Sequence, residues 1–261
     1  MQYGLIGEKL SHSFSKEIHE ALTDYTYELC EIARDHLTSF LKKREFRAIN
    51  VTMPYKKEVI PHLDYVDDVA NELQAVNVIV NRDGKLYGYN TDYFGMRDLI
   101  LKSKIDISNK KILILGTGGT ARTSTLVCKD LGATDIILVS RDEKAGAITY
   151  SEAYLLHNDA QIVINATPVG MYPNSYASPL DLNKFSNLLA VFDAVYNQIF
   201  WRCLMRFTIQ SEHKSFLTRK NAVFMQRVGF ICSCLKQYTR LSFSLIQGLM
   251  RIKLMKFIKK Y

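Results

Sequence analysis

The sequence predicts an α/β protein whose sheets contain parallel strands and whose chain divides into two parts. Three observations lead to this prediction: strand and helix patterns alternate near the start, an apolar strand runs into a glycine-rich turn at Gly116, and more strands follow that turn. Such alternation is typical of parallel sheets with crossover helices. A chain of 261 residues is long enough for two modest domains.

The N-terminal elements follow one another in a regular order. An apolar strand in QYGLIG precedes a helix from Ser15 to Leu22, and a second strand, YELCEI, starts at Tyr27. Helical spacing from His36 to Arg44 then leads to a third strand, AINVTM, at Ala48–Met53. The order strand, helix, strand predicts parallel neighbours in the sheet.

A hairpin and a linking helix complete the first part. The segments Val76–Val80 and Lys85–Tyr89 have strand composition, and the short turn between them contains Gly84, which can adopt positive φ. A helix from Gly95 to about Lys104 then leads to the second part. We therefore expect the first domain, of the α/β class, to span residues 1–93.

The second part opens with an apolar strand that runs from Lys111 into the turn GTGGTA. A helix from about Ala121 to Leu131 follows, and further strands lie in DIILVS, QIVIN and LLAVFDAV. A strand, a glycine turn, a helix and a strand in this order indicate a Rossmann-type dinucleotide-binding domain. We expect this domain over residues 94–205.

The glycine turn fits the pattern G-x-G-x-x-G/A in the context that the pattern needs. Gly116 allows the tight turn, Gly118 lets the backbone approach a pyrophosphate, and Ala121 occupies the helix-packing position. With Gly119 beside them, the unpaired N–H groups of the helix start would face a bound phosphate. The alternative interpretation is a tight turn that binds nothing.

The end of the next strand distinguishes NADP from NAD. Arg141 follows that strand directly and Lys144 is close in sequence, so two cations are available to bind a 2′-phosphate. Asp142 favours NAD instead, and an ordinary solvated charge cluster is the third interpretation. We expect NADP to be the cofactor.

Two N-terminal segments carry residues suited to an anionic, carbonyl-containing substrate. LSHSFSKEIH places Ser13 and Ser15 two residues apart on a turn, where their hydroxyls can face one anion or cap a helix. NVTMPYKK contains Thr52 and Lys56 after a strand. An ammonium at such a turn is suited to give a proton to a carbonyl oxygen. A lone lysine is usually only a solvated charge, so the interpretation of Lys56 as a proton donor rests on the motif around it.

Two further segments, ELQAVN with Asn77 and GYNTD with Asp92, lie farther along the first part. In the second part, NATPVGM contains Thr167 and VFDAVYN contains Tyr196. Taken together, these ordered segments resemble the shikimate dehydrogenase family from about Gly4 to Asn197. Departures from the family pattern are small and include Lys16 and Gln74, where the family usually has proline and glycine.

The resemblance implies that residues 1–93 form the substrate-binding and catalytic domain, and it implies a role for each matching residue. Lys56 would be the catalytic lysine and Asp92 its carboxylate partner, while Ser13 and Ser15 would hold a substrate carboxylate. The other substrate contacts implied are Thr52, Asn77 and Tyr196. The cofactor-binding residues expected are Gly116, Gly118, Gly119, Ala121, Arg141, Lys144 and Thr167.

The activity that the resemblance implies is the reversible, NADP-dependent reduction of 3-dehydroshikimate to shikimate, in a cleft between two domains. This oxidoreductase reaction on a CH–OH group serves chorismate and aromatic amino acid biosynthesis, and no metal ion is expected. One alternative is a quinate/shikimate dehydrogenase that uses NAD. Another is a catalytically impaired nucleotide-binding relic, because the end of the chain departs from the family.

That departure coincides with a change in charge. Residues 1–197 contain 21 Lys and Arg and 25 Asp and Glu, whereas residues 198–261 contain 13 and 1, so the net charges are −4 and +12. Gln198 stands where the family has a proline, and little after it matches. We expect a reading-frame change near codon 198; a genuine basic tail, or an arm for nucleic acid or a membrane, are the alternatives. If folded, residues 206–261 are expected to pack on the N-terminal domain.

Bulk composition restricts the compartment and the partners. The five cysteines lack paired spacing, which favours free thiols in a reducing compartment. No apolar stretch reaches the length of about 18 residues that a membrane-spanning helix needs. We therefore expect a cytoplasmic monomer or homodimer that binds small molecules, with neither nucleic acid nor a membrane as partner.

Overall fold

The computed structural model describes residues 1–10, 13, 15–142, 146–170 and 177–194. These residues fall into two units, of which the first runs from Met1 to Thr91 and the second begins at Asp92. Lys144, Tyr196 and the tail segment 206–261 lie outside the described residues, so what the sequence predicts for them stays a prediction. Within the described part of the chain, no helix is long and apolar enough to cross a bilayer.

The first unit is built on a mixed β-sheet. Its described strands are β1 (Tyr3–Gly7), β2 (Glu28–Glu31), β3 (Ala48–Val51), β4 (Tyr65–Val66), β5 (Val78–Arg82) and β6 (Lys85–Tyr89). They lie in the order β2-β1-β3-β5-β6-β4. Strand β1 pairs in parallel with β2 and β3, whereas β5 pairs antiparallel with β3 and β6. The predicted parallel pairs and the predicted hairpin are confirmed.

Three described helices accompany this sheet: α1 (Ser15–Leu22), α2 (Leu37–Lys43) and α3 (Asp68–Leu73). Helices α2 and α3 pack on the sheet through Leu41 and Ala70, which share one buried cluster with Ile6, Ile49 and Ile79. All four residues of β3 are buried, as expected for a central strand covered on both faces. Burial of each large side chain contributes about 1.5–3 kcal/mol, so this cluster holds the first unit together.

The second unit is built on a parallel sheet. Its described strands are β7 (Lys111–Leu115), β8 (Asp135–Ser140), β9 (Ala147–Thr149), β10 (Ile162–Asn165) and β11 (Ala190–Asp193). They lie in the order β11-β10-β7-β8-β9, and each described pair is parallel. The chain proceeds from β7 to one side and later returns to the other, which makes the carboxyl end of β7 a topological switch point. Ligands of such sheets bind at that place.

The helices of the second unit include α4 (Thr91–Ser103), whose first residue ends the first unit, α5 (Gly119–Asp130) and α6 (Tyr150–Leu156). Helix α4 begins four residues before the predicted Gly95, because the Asn77 amide oxygen accepts the Thr91 N–H at 2.8 Å. Helices α3 and α6 were not predicted. Each begins directly after a capping residue, Asp67 and Thr149 respectively, and the Thr149 cap forms a complete capping box with Glu152.

An aromatic cluster joins α1 to the sheet of the first unit. The His19 imidazole stacks on the Tyr27 ring with centroids 4.0 Å apart, and its Nδ1 lies 2.8 Å from the Tyr25 hydroxyl. Tyr25 in turn stacks on Tyr3 of β1, and the Tyr27 hydroxyl donates to Asn50 Oδ1 in β3 at 2.6 Å. Burial lowers the pKa of His19 to about 4, because a charged imidazole would lose its hydration there.

A core substitution tests how much the second unit depends on β7. Leu113 is fully buried in the centre of that strand, so Leu113→Ala should lower the free energy of unfolding by about 2–5 kcal/mol through lost burial and a residual cavity. Leu155→Ala removes the same atoms from a side chain that is 78% exposed and should change stability by less than about 0.5 kcal/mol. Urea denaturation of both variants measures the difference. Equal effects would contradict the assigned core.

The buried imidazole of His19 makes stability depend on pH. Above pH 6.5 the ring is neutral in both the native and the unfolded chain. As the pH falls from 6.5 to 4, the unfolded chain binds a proton that the native state excludes, so the free energy of unfolding falls, by up to about 3 kcal/mol.

Urea denaturation at pH 7.5 and pH 4.5 tests this dependence. Because His19→Gln removes the titrating group, the variant should lose less stability at low pH than the unchanged protein. His36 has a side chain that is 74% exposed, and His36→Gln should keep the original pH dependence. An equal loss in all three proteins would show that His19 does not contribute.

Candidate functional site

The two predicted serines meet at the start of α1. Ser15 is the first residue of the helix, and its N–H donates to Ser13 Oγ at 3.2 Å, while the two hydroxyl oxygens lie 3.0 Å apart. The Ser13 N–H donates to the Leu10 carbonyl, and the Leu10 N–H donates to the Glu31 carboxylate at 2.7 Å. The Ser13 hydroxyl therefore satisfies the first N–H of the helix and lies beside a second hydroxyl, an arrangement that could hold an anion.

Lys56 lies in a turn that the backbone holds at several points. The Thr52 N–H donates to the Ile6 carbonyl of β1, and the Tyr55 N–H donates to the Thr52 carbonyl, both at 3.0 Å. The Lys56 carbonyl accepts the Val76 N–H at 2.7 Å. The Lys56 side chain is half-buried, and the fully buried Tyr55 ring anchors the turn in the core. The segment NVTMPYKK is thereby tied to the segment ELQAVN.

Asn77 connects three parts of the first unit. Its N–H donates to the Tyr89 carbonyl of β6 at 3.0 Å, and its carbonyl accepts the Val51 N–H of β3 at 2.9 Å. Its side-chain oxygen accepts the Thr91 N–H at 2.8 Å, and its amide donates to the Thr91 hydroxyl at 3.2 Å. Asn77 is fully buried, so its side chain supports the residue directly before Asp92.

Two buried asparagines that were not predicted belong to the same network. The Asn90 amide, in GYNTD, donates to the Ala75 carbonyl at 2.8 Å, which joins GYNTD to ELQAVN a second time. Asn50, in NVTMPYKK, accepts the Tyr27 hydroxyl. Both side chains are nearly inaccessible. The signal that identifies them in sequence is a polar residue inside an otherwise apolar strand or strand end.

The glycine turn of the second unit leaves room beside the start of α5. Gly116 has φ +106°, which favours glycine, and a Cβ there would lie 3.2 Å from the Ala166 carbonyl oxygen. Gly118 is the N-cap residue of α5, and a Cβ at Gly118 or Gly119 would meet no atom within 4 Å. Ala121 is fully buried, as its predicted packing position requires. The first N–H groups of α5 are therefore accessible to a phosphate.

Thr167 lies beside this turn at the carboxyl end of β10. Its N–H and hydroxyl both donate to Asn165 Oδ1, at 3.0 and 2.7 Å, and its oxygen accepts the Val169 N–H at 3.2 Å. Asn165 is fully buried and also donates to the Asp193 carboxylate of β11 at 3.0 Å. A Cβ at Gly116 would lie 3.3 Å from Thr167 Cγ2, so these two residues are neighbours at the switch point of the sheet.

Arg141 is exposed directly after β8, as predicted, and Asp142 beside it is exposed as well. Burial raises the pKa of the Tyr150 phenol at the start of α6, and the positive charge of Arg141 partly opposes this rise. Among the described residues, no group of His, Cys, Asp and Glu side chains is arranged to hold a metal ion.

Comparison with known proteins gives a consistent set of similarities. Residues 5–79 match the family model described as the shikimate dehydrogenase substrate binding domain. The shikimate dehydrogenase (NADP(+)) of Clostridium beijerinckii is 38% identical over 212 residues, which cover 75% of this chain and 78% of the relative. The enzyme of the same name from Methanococcus maripaludis is 32% identical over 218 residues, with the same coverage.

Solved structures agree with these sequence similarities. Shikimate dehydrogenase 1 from Peptoclostridium difficile superposes with a TM-score of 0.74 and 30% identity, covering 97% of this chain and 98% of that one. Shikimate 5-dehydrogenase from Thermus thermophilus, solved with NADP(H) and shikimate, has a TM-score of 0.76 over 97% and 99% of the two chains. At 23% identity, the second likeness establishes a shared fold.

Proposed function

Because this chain belongs to the shikimate dehydrogenase family, we propose that it transfers a hydride reversibly between NADP(H) and the pair 3-dehydroshikimate and shikimate. This activity would serve the biosynthesis of aromatic amino acids. The observation that carries the proposal is the network joining NVTMPYKK, ELQAVN and GYNTD: the Lys56 carbonyl accepts the Val76 N–H, and Asn77 binds Thr91, which precedes Asp92.

The second unit suits a phosphorylated dinucleotide. The open space at Gly118 and Gly119 and the N–H groups at the start of α5 fit a pyrophosphate. The exposed guanidinium of Arg141 suits the 2′-phosphate of NADP, with Lys144 as a second cation. Thr167 and Gly116 would border the cofactor at the switch point. When bound, NADPH supplies the hydride.

Lys56 would act as the acid of the reaction. As the substrate carbonyl is reduced, its oxygen develops negative charge, and the Lys56 ammonium would donate a proton to it. In the oxidation of shikimate the neutral amine would take that proton back. The Asp92 carboxylate would orient the ammonium and accept a hydrogen bond from a ring hydroxyl. Its place in the first turn of α4 gives that carboxylate a rigid support.

The remaining residues would bind the substrate. Ser13 and Ser15 present two hydroxyls 3.0 Å apart, a spacing suited to the two oxygens of one carboxylate. Thr52 and Asn77 would contact the ring hydroxyls, and Tyr196 would contribute from the second part of the chain. Asn77 would do so while it holds Thr91, because an amide has more than one donor.

Turnover assays of Lys56 variants test the proposed chemistry. The purified protein should reduce NADP⁺ when shikimate is added, and Lys56→Ala should lower kcat by about 10²–10⁴-fold through loss of the proton donor. Lys57→Ala is the matched control, because it removes the neighbouring exposed ammonium and should leave kcat within about twofold. A near-normal kcat for Lys56→Ala would refute this role. Binding of NADP⁺ without turnover in the unchanged chain would favour the impaired relic.

Kinetics with both cofactors test the role of Arg141. Arg141→Gln should lower kcat/KM for NADP⁺ by about tenfold or more, because a phosphate loses a bidentate, charge-assisted contact. With NAD⁺, which lacks that phosphate, kcat/KM of Arg141→Gln should change by less than about twofold. The NAD⁺ measurement is therefore the control for the NADP⁺ measurement on the same variant. The exposed Asp142 favours NAD. Higher kcat/KM with NAD⁺ and turnover of quinate by the unchanged protein would support a quinate/shikimate dehydrogenase instead.

A further inference from the structure

Two groups of residues proposed to contact the substrate lie on separate elements of the first unit. Ser13 and Ser15 are at the start of α1, whereas Thr52 and Lys56 follow β3. A rigid ring that binds both sets requires a fixed spacing between them, since a misplacement of about 1 Å can cost about 100-fold in rate. The contacts that join α1 to β3 therefore bear on substrate binding.

Tyr27 forms contacts to both elements. Its ring is only 2% exposed and stacks on the His19 ring of α1, with centroids 4.0 Å apart and planes inclined by 15°. Its N–H donates to the carboxylate of Glu20, also in α1, at 3.1 Å. Its hydroxyl donates to Asn50 Oδ1 of β3 at 2.6 Å. One residue thus contacts α1 at two points and β3 at a third.

The contact with β3 is directional and shielded from water. The Asn50 residue is 6% exposed, so solvent replaces the Tyr27 hydroxyl poorly if that hydroxyl is removed. Asn50 stands two residues before Thr52 in the same extended run, and the Lys56 turn follows. A displacement of Asn50 would consequently move Thr52 relative to the serine pair.

We propose that Tyr27 is a positioning residue for substrate binding. Its stack on His19 and its hydrogen bond to Asn50 hold the serine pair at the distance from Thr52 that a hydroxylated ring carboxylate of the shikimate type requires. This inference rests on the proposed function. Tyr27 acts through α1 and Asn50, and its hydroxyl sets the spacing of the site.

Calorimetric titration with shikimate and with NADP⁺, together with turnover kinetics, tests this role in the full-length chain. Tyr27→Phe keeps the stacked ring and removes the hydroxyl, so the Kd and KM for shikimate should rise about tenfold while the Kd for NADP⁺ changes by less than about twofold. Tyr25→Phe is the matched control: it removes a hydroxyl 2.8 Å from the same His19 ring and leaves the hydrogen bond between Tyr27 and Asn50 in place. Its Kd for shikimate should stay near that of the unchanged protein.

The outcomes separate this inference from the proposed function. If the unchanged protein binds shikimate without oxidising it, the proposed function fails, and the Kd values alone decide the role of Tyr27. An unchanged Kd in Tyr27→Phe, or an equal rise in Tyr25→Phe, would overturn the role, and absence of shikimate binding would overturn both. If Tyr27→Phe does not fold, Asn50→Ala breaks the same hydrogen bond from the other side and must raise the Kd in the same way.

Discussion

The proposed substrate site depends most on the hydrogen bonds formed by the buried residue Asn77. Its amide oxygen accepts the Thr91 N–H, and its own backbone joins β3 to β6, so one residue ties the end of the sheet to the start of α4. A buried amide held by hydrogen bonds through both its oxygen and its nitrogen has a fixed orientation, because turning it would leave a polar group unpaired. Asp92 directly follows Thr91, so the same hydrogen bond restricts the position of the Asp92 backbone.

The second unit also contains a buried asparagine that binds the backbone of a neighbouring segment. Asn165, fully buried at the end of β10, accepts two hydrogen bonds from Thr167 and donates one to Asp193. In both units a buried asparagine beside a strand accepts a backbone N–H, from Thr91 at the start of α4 in the first unit and from Thr167 in the loop after β10 in the second. Residues that would touch substrate or cofactor are thereby supported by neighbours that lie deeper in the protein.

Local patterns predicted most strands and helices, but they missed helices α3 and α6 and misplaced the start of α4. The apolar strands around Val51 and Leu113 and the turn at Gly116 are recognisable because burial and conformational freedom act on each residue separately. Helix α6 has Ala153 as its buried residue, so its apolar periodicity is weak, and the capping box from Thr149 to Glu152 is the local signal that identifies it. The start of α4 was misplaced because its cap comes from Asn77, a partner distant in sequence.

By itself, the sequence determined the class of fold, the family and the set of residues suited to the chemistry, since motif spacing and apolar periodicity are local properties. Tertiary structure alone showed that Lys56 is tied through Val76 to the Asn77 segment, and that His19, Tyr27 and Asn50 join α1 to β3. These contacts connect residues from separate elements and depend on close packing. No local pattern encodes them, because each forms only when the sheet brings distant segments within hydrogen-bonding distance.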